Sequence, residues 1–333
     1  VRGVEGIERE LARMRLRSDG LYDLRASVLN LLVVADEGLA GEVSEVISRL
    51  SGNHPSRSII LITDSGAPES RLDVQISTMC NVPGPEGRHV CSEQITLHIE
   101  GEPARHPESF ADPLLLPDLP AVMWCPGEIS LDAPGFRRLA GMADRLILDS
   151  ATAGDCGRAM RKMAGFVDEP GMPHLGDLQW TALLPWRSFI AALFDPPERA
   201  PALRELRRVR IEHRPGGLCR ALLLAGWLAS ALGLHPESRK RSGDAREYDL
   251  SGGVRLELEQ LGSDAAPPRV LIESAGASFE VSVGRLRIRE GSSVTERAVR
   301  LEAPGTGDLL GEELTFFGRD GAYEAALKVA AEL

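Results

Sequence analysis

The chain has 333 residues, 43% of them hydrophobic and 26% charged, and a formal net charge of −11 at pH 7. Its length suits two compact lobes with sizeable cores, and the acidic balance excludes a protein built to grip nucleic acid, whose affinity rests on clustered Lys and Arg. Five cysteines, Cys80, Cys91, Cys125, Cys156 and Cys219, stand singly without Cys-x-x-Cys, which points to a reducing, cytoplasmic setting with every thiol free.

Arg2–Arg17 reads as an amphipathic helix with Val4, Ile7, Leu11 and Met14 on one face, not as a secretory signal. Val28–Ala35 is an apolar run of strand length, Glu37–Leu50 follows at helical spacing, and Ser58–Thr63 returns as a strand, so a parallel βαβ unit opens the chain. Leu72–Ser77 and Gln94–Ile99 alternate as two further strands, with Asn81–Arg88 as their hairpin loop. Ala104–Leu116 reads as helical, Ala121–Trp124 as strand, Pro134–Met142 as helix, Arg145–Leu148 as strand and Asp155–Phe166 as helix. These elements predict an N-terminal three-layer α/β domain with a mixed sheet over residues 1–168.

Asp168–Gly176, with Pro170, Gly171, Pro173 and Gly176, reads as a linker or crossing loop. Beyond it, Trp186, Phe189, Ile190, Leu193 and Phe194 form an aromatic helix face started by Pro185. Arg204–Arg214 reads as strand and Gly217–Gly233 as a core helix, interrupted by Arg220 and so unsuited to a bilayer. Val254–Leu261, Arg269–Ser274, Ser278–Val283, Arg285–Arg289 and Arg297–Leu301 form a mainly antiparallel meander, and Ala322–Leu333 a last helix. Residues 177–333 are thus predicted as a smaller α+β domain.

No phosphate-binding loop, H-E-x-x-H, G-x-S-x-G or EF-hand pattern occurs, and the glycines from Gly305 to Gly311 miss G-x-G-x-x-G by one residue. No cofactor and no metal are expected; His89 and Cys91 share a strand face but lack two further ligands. His54, Ser56 and Arg57 bring an imidazole, a hydroxyl and a guanidinium together and suit an anion, although Arg57 is equally suited to a carboxylate of the fold. Asp118 lies at the mouth of the strand that ends in Trp124, on a loop stiffened by Pro117 and Pro120. Arg187, at the margin of the aromatic helix face near Trp180 and Trp186, suits a protein interface.

The loop Pro113–Gly127, taken with Val28–Glu37, His54–Ile59, Cys91–Gly101, Ala143–Ala151, Pro185–Glu198 and Leu223–Gly233, resembles the glucose-6-phosphate dehydrogenase assembly protein OpcA family in order and spacing. The resemblance thins after Pro236. It implies a non-catalytic assembly factor and allosteric activator of glucose-6-phosphate dehydrogenase, serving the oxidative pentose phosphate pathway, with that enzyme as partner and neither nucleic acid nor membrane. The alternative is a sugar-phosphate-binding protein or enzyme whose site lies at the carboxyl ends of the first-domain strands, with His54, Ser56 and Arg57 as contacts. The chain departs from the family at Cys91-Ser92, where many members carry two adjacent cysteines, and at Cys125, where tryptophan is usual. Cys80 and Cys91 flank the same hairpin; a bulge there is expected to keep them apart, and activation is expected to be indifferent to redox state.

Overall fold

The computed structural model describes residues 3–14, 24–25, 27–81, 90–128, 130–242, 245–263, 268–301 and 304–333. The chain divides into two compact units that alternate along the sequence: Val1–Thr152, Glu169–Leu178 and Gly305–Arg319 form one, and Ala153–Asp168, Gln179–Pro304 and Asp320–Leu333 the other.

The first unit opens with helix α1 (Gly3–Met14), which buries Ile7 and Leu11, and the short strand β1 (Leu24–Arg25). Strand β2 (Leu29–Ala35), helix α2 (Ala40–Leu50) and strand β3 (Ser56–Asp64) make the expected βαβ unit, with β2 and β3 parallel. Strands β4 (Arg71–Asn81) and β5 (Val90–Glu100) are antiparallel; the hairpin loop read between them lies outside the described residues, as does His89. The segment read as one helix over Ala104–Leu116 is broken instead into short turns around α3 (Glu108–Ala111), because Pro107 and Pro113 each remove an N–H that a continuous helix needs. Strand β6 (Ala121–Cys125), helix α4 (Pro134–Ala140) and strand β7 (Arg145–Leu148) follow. Helix α5 (Cys156–Val167) belongs to the second unit, and the chain then returns to the first as β8 (His174–Asp177), parallel to β7, so the Pro- and Gly-rich stretch read as a linker ends in a strand.

The first sheet runs β1-β5-β3-β2-β6-β7-β8 with β4 outside β5, and only the β4–β5 pair is antiparallel. Its central strands are unbroken apolar runs because both faces are covered: Leu31, Val33, Ile60, Leu61, Val122, Met123 and Ile147 are all buried.

The second unit continues through α6 (Leu178–Ala182), α7 (Leu184–Leu193), α8 (Ala200–Arg204), β9 (Leu206–His213), α9 (Leu218–Ala231), β10 (Pro236–Ser242), β11 (Ala245–Leu250), β12 (Val254–Gln260), β13 (Arg269–Ser274), β14 (Ala277–Ser282), β15 (Gly284–Glu290) and β16 (Ser293–Val299). The sheet order is β10-β11-β12-β9-β13-β14-β15-β16, antiparallel except for the β9–β12 pair. The last strand starts earlier than the Arg297 of the sequence reading. The segment Gly305–Gly311 lies mostly in helix α10 (Thr306–Glu313), in the first unit, and α11 (Gly321–Glu332) closes the second.

Helix α9 packs on β9 and β12 and against α11, and its buried residues run nearly all round it, from Cys219 to Ala229. The opposite, polar positions of the second sheet pair across strands: Arg208 with Glu257 (2.6 Å), Arg210 with Glu259 (2.5 Å) and Arg269 with Glu212 (2.6 Å). Arg208 and Arg210 thus belong to a ladder of alternating charge, not to a basic patch.

The expectation of five reduced thiols is overturned. Cys156 on α5 and Cys219 on α9 are joined, their Cα atoms 5.1 Å apart, and Cys91 is disulfide-bonded too. Among the described residues Cys125 alone is a free thiol. Sequence spacing hid the first pair because helix packing brings together residues 63 apart. The β4–β5 register runs evenly over the described residues and sets Cys80 directly opposite Cys91, while the loop in which a bulge is expected lies outside them.

Candidate functional site

With β2, β3, β5, β6, β7 and β8 counted in chain order, the first sheet has the strand order 3-2-1-4-5-6 of doubly wound sheets, whose ligands sit beyond the carboxyl ends of the strands where the order reverses. That point lies between β2 and β6. A cavity of about 590 Å³ opens there, lined by Ala35 at the end of β2 and Asp36 after it, Thr63 and Ser65 at the end of β3, and Cys125 and Gly127 at the end of β6. Arg105, His106 and Arg138 complete it. The turns after β2 and β6 approach so closely that a Cβ on Gly127 would lie 3.3 Å from Leu39 Cδ1 and 3.6 Å from Asp36 Oδ2.

The chemistry of this cavity does not fit a dinucleotide. A pyrophosphate needs a glycine-rich turn leading directly into a helix N-terminus. Here Asp36 and Glu37 follow β2, a 3-10 turn Glu37–Leu39 precedes α2, and no side chain caps either. Two carboxylates at that turn repel a polyphosphate.

Nor does the lining offer an activated nucleophile. The Cys125 thiol is almost fully buried, and burial pushes its pKa up, which keeps it protonated and inert. Glu108 sits below its ordinary range: burial works to raise it, but bonds from its own backbone N–H, from Arg138 and from His106 outweigh that. Arg138 Nε donates to Glu108 Oε1 (2.5 Å) and Arg138 Nη2 to the Arg105 carbonyl (2.8 Å). The arrangement is a paired polar rim suited to holding loops or a polar contact.

The residues singled out from sequence are not brought together. Arg57 is 1% exposed and is held by Glu93, itself 0% exposed, through Nε to Oε2 (2.9 Å) and Nη2 to Oε2 (2.7 Å), and further by Glu8 and the Leu114 carbonyl. The guanidinium therefore serves the fold. Ser56 is buried with its Oγ 3.0 Å from Ser58 Oγ. His54 faces α10, where burial lowers its pKa against the opposing pull of Glu312. Because Ser56 begins β3, all three lie at the amino end of that strand, the opposite end from the cavity at the switch point. The alternative reading that placed these three at the strands' carboxyl ends is corrected accordingly.

Asp118 is exposed on a loop whose position is set by Asn30 of β2. The Asn30 side chain donates to the carbonyls of Leu116 (2.9 Å) and Leu119 (3.1 Å) and accepts from the Leu116 N–H (2.8 Å). Trp124 is 1% exposed in the core of β6. Arg187, in the second unit, stacks over the Trp180 ring with Cζ 3.4 Å from its centroid. Sequence reasoning missed Asp36, Arg105, His106 and Arg138, which come from loops and a helix that meet only through the strand order. The one signal present was the acidic Asp36-Glu37 pair immediately after the first long apolar run.

Among the described residues no helix is long and apolar enough to cross a membrane. Two family models match in succession: the glucose-6-phosphate dehydrogenase subunit N-terminal domain over residues 47–165 and the C-terminal domain of that subunit over residues 173–327. The chain is 25% identical over 313 residues to the OpcA protein of Synechocystis sp., whose name assigns it to the OxPP cycle, and 26% identical over 287 residues to that of Synechococcus elongatus. These alignments cover 86% and 78% of the chain, which spans 65% and 64% of the length of those relatives. The OpcA protein of Nostoc punctiforme is 31% identical over 216 residues, 64% of this chain and 45% of that one. Among solved structures, KijD10, a 3-ketoreductase from Actinomadura kijaniata in complex with NADP and TDP-benzene, aligns over 91% of this chain and 95% of its own with a TM-score of 0.53 at 11% identity. At that identity the likeness is one of fold.

Proposed function

Because the chain belongs to the OpcA family of glucose-6-phosphate dehydrogenase assembly proteins, we propose that it is a non-catalytic partner of glucose-6-phosphate dehydrogenase that favours the assembled, active form of that enzyme and so serves the oxidative pentose phosphate pathway. The observation that carries this reading is the succession of two dehydrogenase-subunit domains along one chain. The switch-point cavity supports it, since the turn after β2 places the carboxylates of Asp36 and Glu37 ahead of Gly38 and the thiol at the end of β6 is held protonated by burial.

An activator of this kind works by binding the active oligomer more tightly than its competitors. Each tenfold difference in affinity shifts the balance by about 1.4 kcal/mol, so surface complementarity suffices without chemistry. The test is to assay the cognate dehydrogenase with and without the protein while following its oligomer by sedimentation. A lower apparent KM or a larger stable oligomer is expected, with no turnover of sugar phosphate by this protein alone. Unchanged kinetics with no co-sedimentation at micromolar concentrations, or independent turnover, would defeat the proposal.

A further inference from the structure

The turn after helix α10 sets two phenylalanines side by side in water: Phe316 is 44% exposed and Phe317 37%. Among the described residues every other aromatic side chain is buried or half-buried. The turn is held in shape. Arg145 of β7 donates from Nη1 to the Gly318 carbonyl (2.9 Å), and its guanidinium lies over the Phe316 ring with Cζ 5.2 Å from the centroid. Thr315 Oγ1 donates to the Glu312 carbonyl (2.7 Å), and the Phe316 N–H donates to the Glu313 carbonyl (3.3 Å). The Phe316 ring packs so closely on Gly318 that a Cβ there would meet its Cζ at 3.3 Å. An aromatic pair fixed before contact loses little freedom on binding, which is what an interface anchor needs.

The surface beside this turn is acidic. Helices α2 and α10 enclose a cleft of about 460 Å³ that Thr315 also lines. Glu42, Glu45, Asp308 and Glu312 line it against one guanidinium, Arg49, which is already paired with Glu45. His54, in the same lining, is kept neutral at pH 7 by burial. The last turn of α10 has no basic residue; its Glu313 is paired with Arg145, whereas Glu312 stays exposed. A carboxylate at that end opposes the helix dipole, and a cation brought by a partner would relieve it.

We propose that the Phe316–Phe317 turn and the acidic cleft form the surface that receives the dehydrogenase, the phenylalanines entering an apolar pocket with a basic rim, an assignment that rests on the partnership proposed above. A second copy of this chain does not suit the surface, because a two-fold contact would set the same carboxylates against one another. The test is co-sedimentation of the intact chain with the cognate dehydrogenase at low and high salt. Phe317→Ser is expected to weaken the complex by at least about tenfold and to leave thermal unfolding unchanged. Glu42→Gln with Glu312→Gln, both exposed positions, is expected to weaken it by about three- to tenfold at low salt and to flatten its salt dependence. Val294→Ser on β16, 47% exposed in the second unit, is expected to change neither affinity nor salt dependence. A parent chain that binds no dehydrogenase would defeat the partnership and this surface with it. A parent that binds, with Phe317→Ser and the double variant unaltered or Val294→Ser equally weakened, would overturn the surface alone.

Discussion

Glu93 and Arg57 hold each other inside the first sheet, and neither has water to fall back on. Removing one partner of a buried ion pair typically costs about 3–5 kcal/mol because the other charge is stranded. Glu93→Ala is therefore expected to lower unfolding free energy by about that much in a urea titration; a loss under about 1 kcal/mol would mean that Glu8 alone satisfies the guanidinium. Two histidines set a pH dependence. Burial lowers the pKa of His54 and of His213; in His213 the bond to the Arg214 carbonyl opposes the shift and Arg246 adds to it. With folded values below the unfolded value of about 6.5, the unfolded chain takes up protons first. Their contribution is thus fully present above about pH 6.5 and is lost as pH falls through the folded values. The urea midpoint is expected to drop between about pH 7.5 and pH 5.5, and His54→Gln with His213→Gln to flatten that drop. An unaltered profile in the double variant would assign the drop to other groups.

Helix α9 meets α11 at Gly226, where a Cβ would lie 2.2 Å from the Ala326 carbonyl oxygen and 3.0 Å from the Ala330 nitrogen. Gly→Ala ordinarily favours a helix by up to about 1 kcal/mol, but here the obstacle is backbone that no rotamer change relieves. Gly226→Ala is expected to destabilise the second unit by about 1–3 kcal/mol, as overpacking does, read as a lower melting temperature; a stabilised variant would mean that the helices part freely. The sequence marked α9 as a core helix because its apolar residues run nearly all round it, and marked β2, β3 and β6 because strands buried on both faces read as apolar runs. Strand β8 escaped notice, since four residues, His174–Asp177, follow a Pro- and Gly-rich stretch, and with it went the strand order that defines the switch point. Strand β10, Pro236–Ser242, is a charged edge strand with no apolar alternation to betray it. Arg57 was legible as a residue of consequence, but its chemistry was decided by Glu93, which only the β3–β5 pairing brings opposite.

Within the second unit the Cys156–Cys219 bond ties α5 to α9 across 63 residues of chain. Closing a loop of that size commonly contributes about 2–4 kcal/mol, so Cys156→Ser with Cys219→Ser is expected to lower the urea midpoint by a corresponding amount. An unchanged midpoint would mean that helix packing alone fixes α5. The first unit has a corresponding need at greater range. Arg145 of β7 is nearly buried, and its Nη2 donates to Glu313 Oε2 on α10 (2.5 Å), 168 residues later. A ribosome must therefore deliver the 168 residues that follow Arg145 before that guanidinium finds its counter-ion. Nascent chains halted after Pro304 are expected to leave the first unit open to trypsin, whereas a resistant core at that length would show the sheet closing without α10. Completion of the first unit thus waits until α10 has emerged from the ribosome, and until then the emerging chain depends on whatever shields it in the exit-tunnel vestibule.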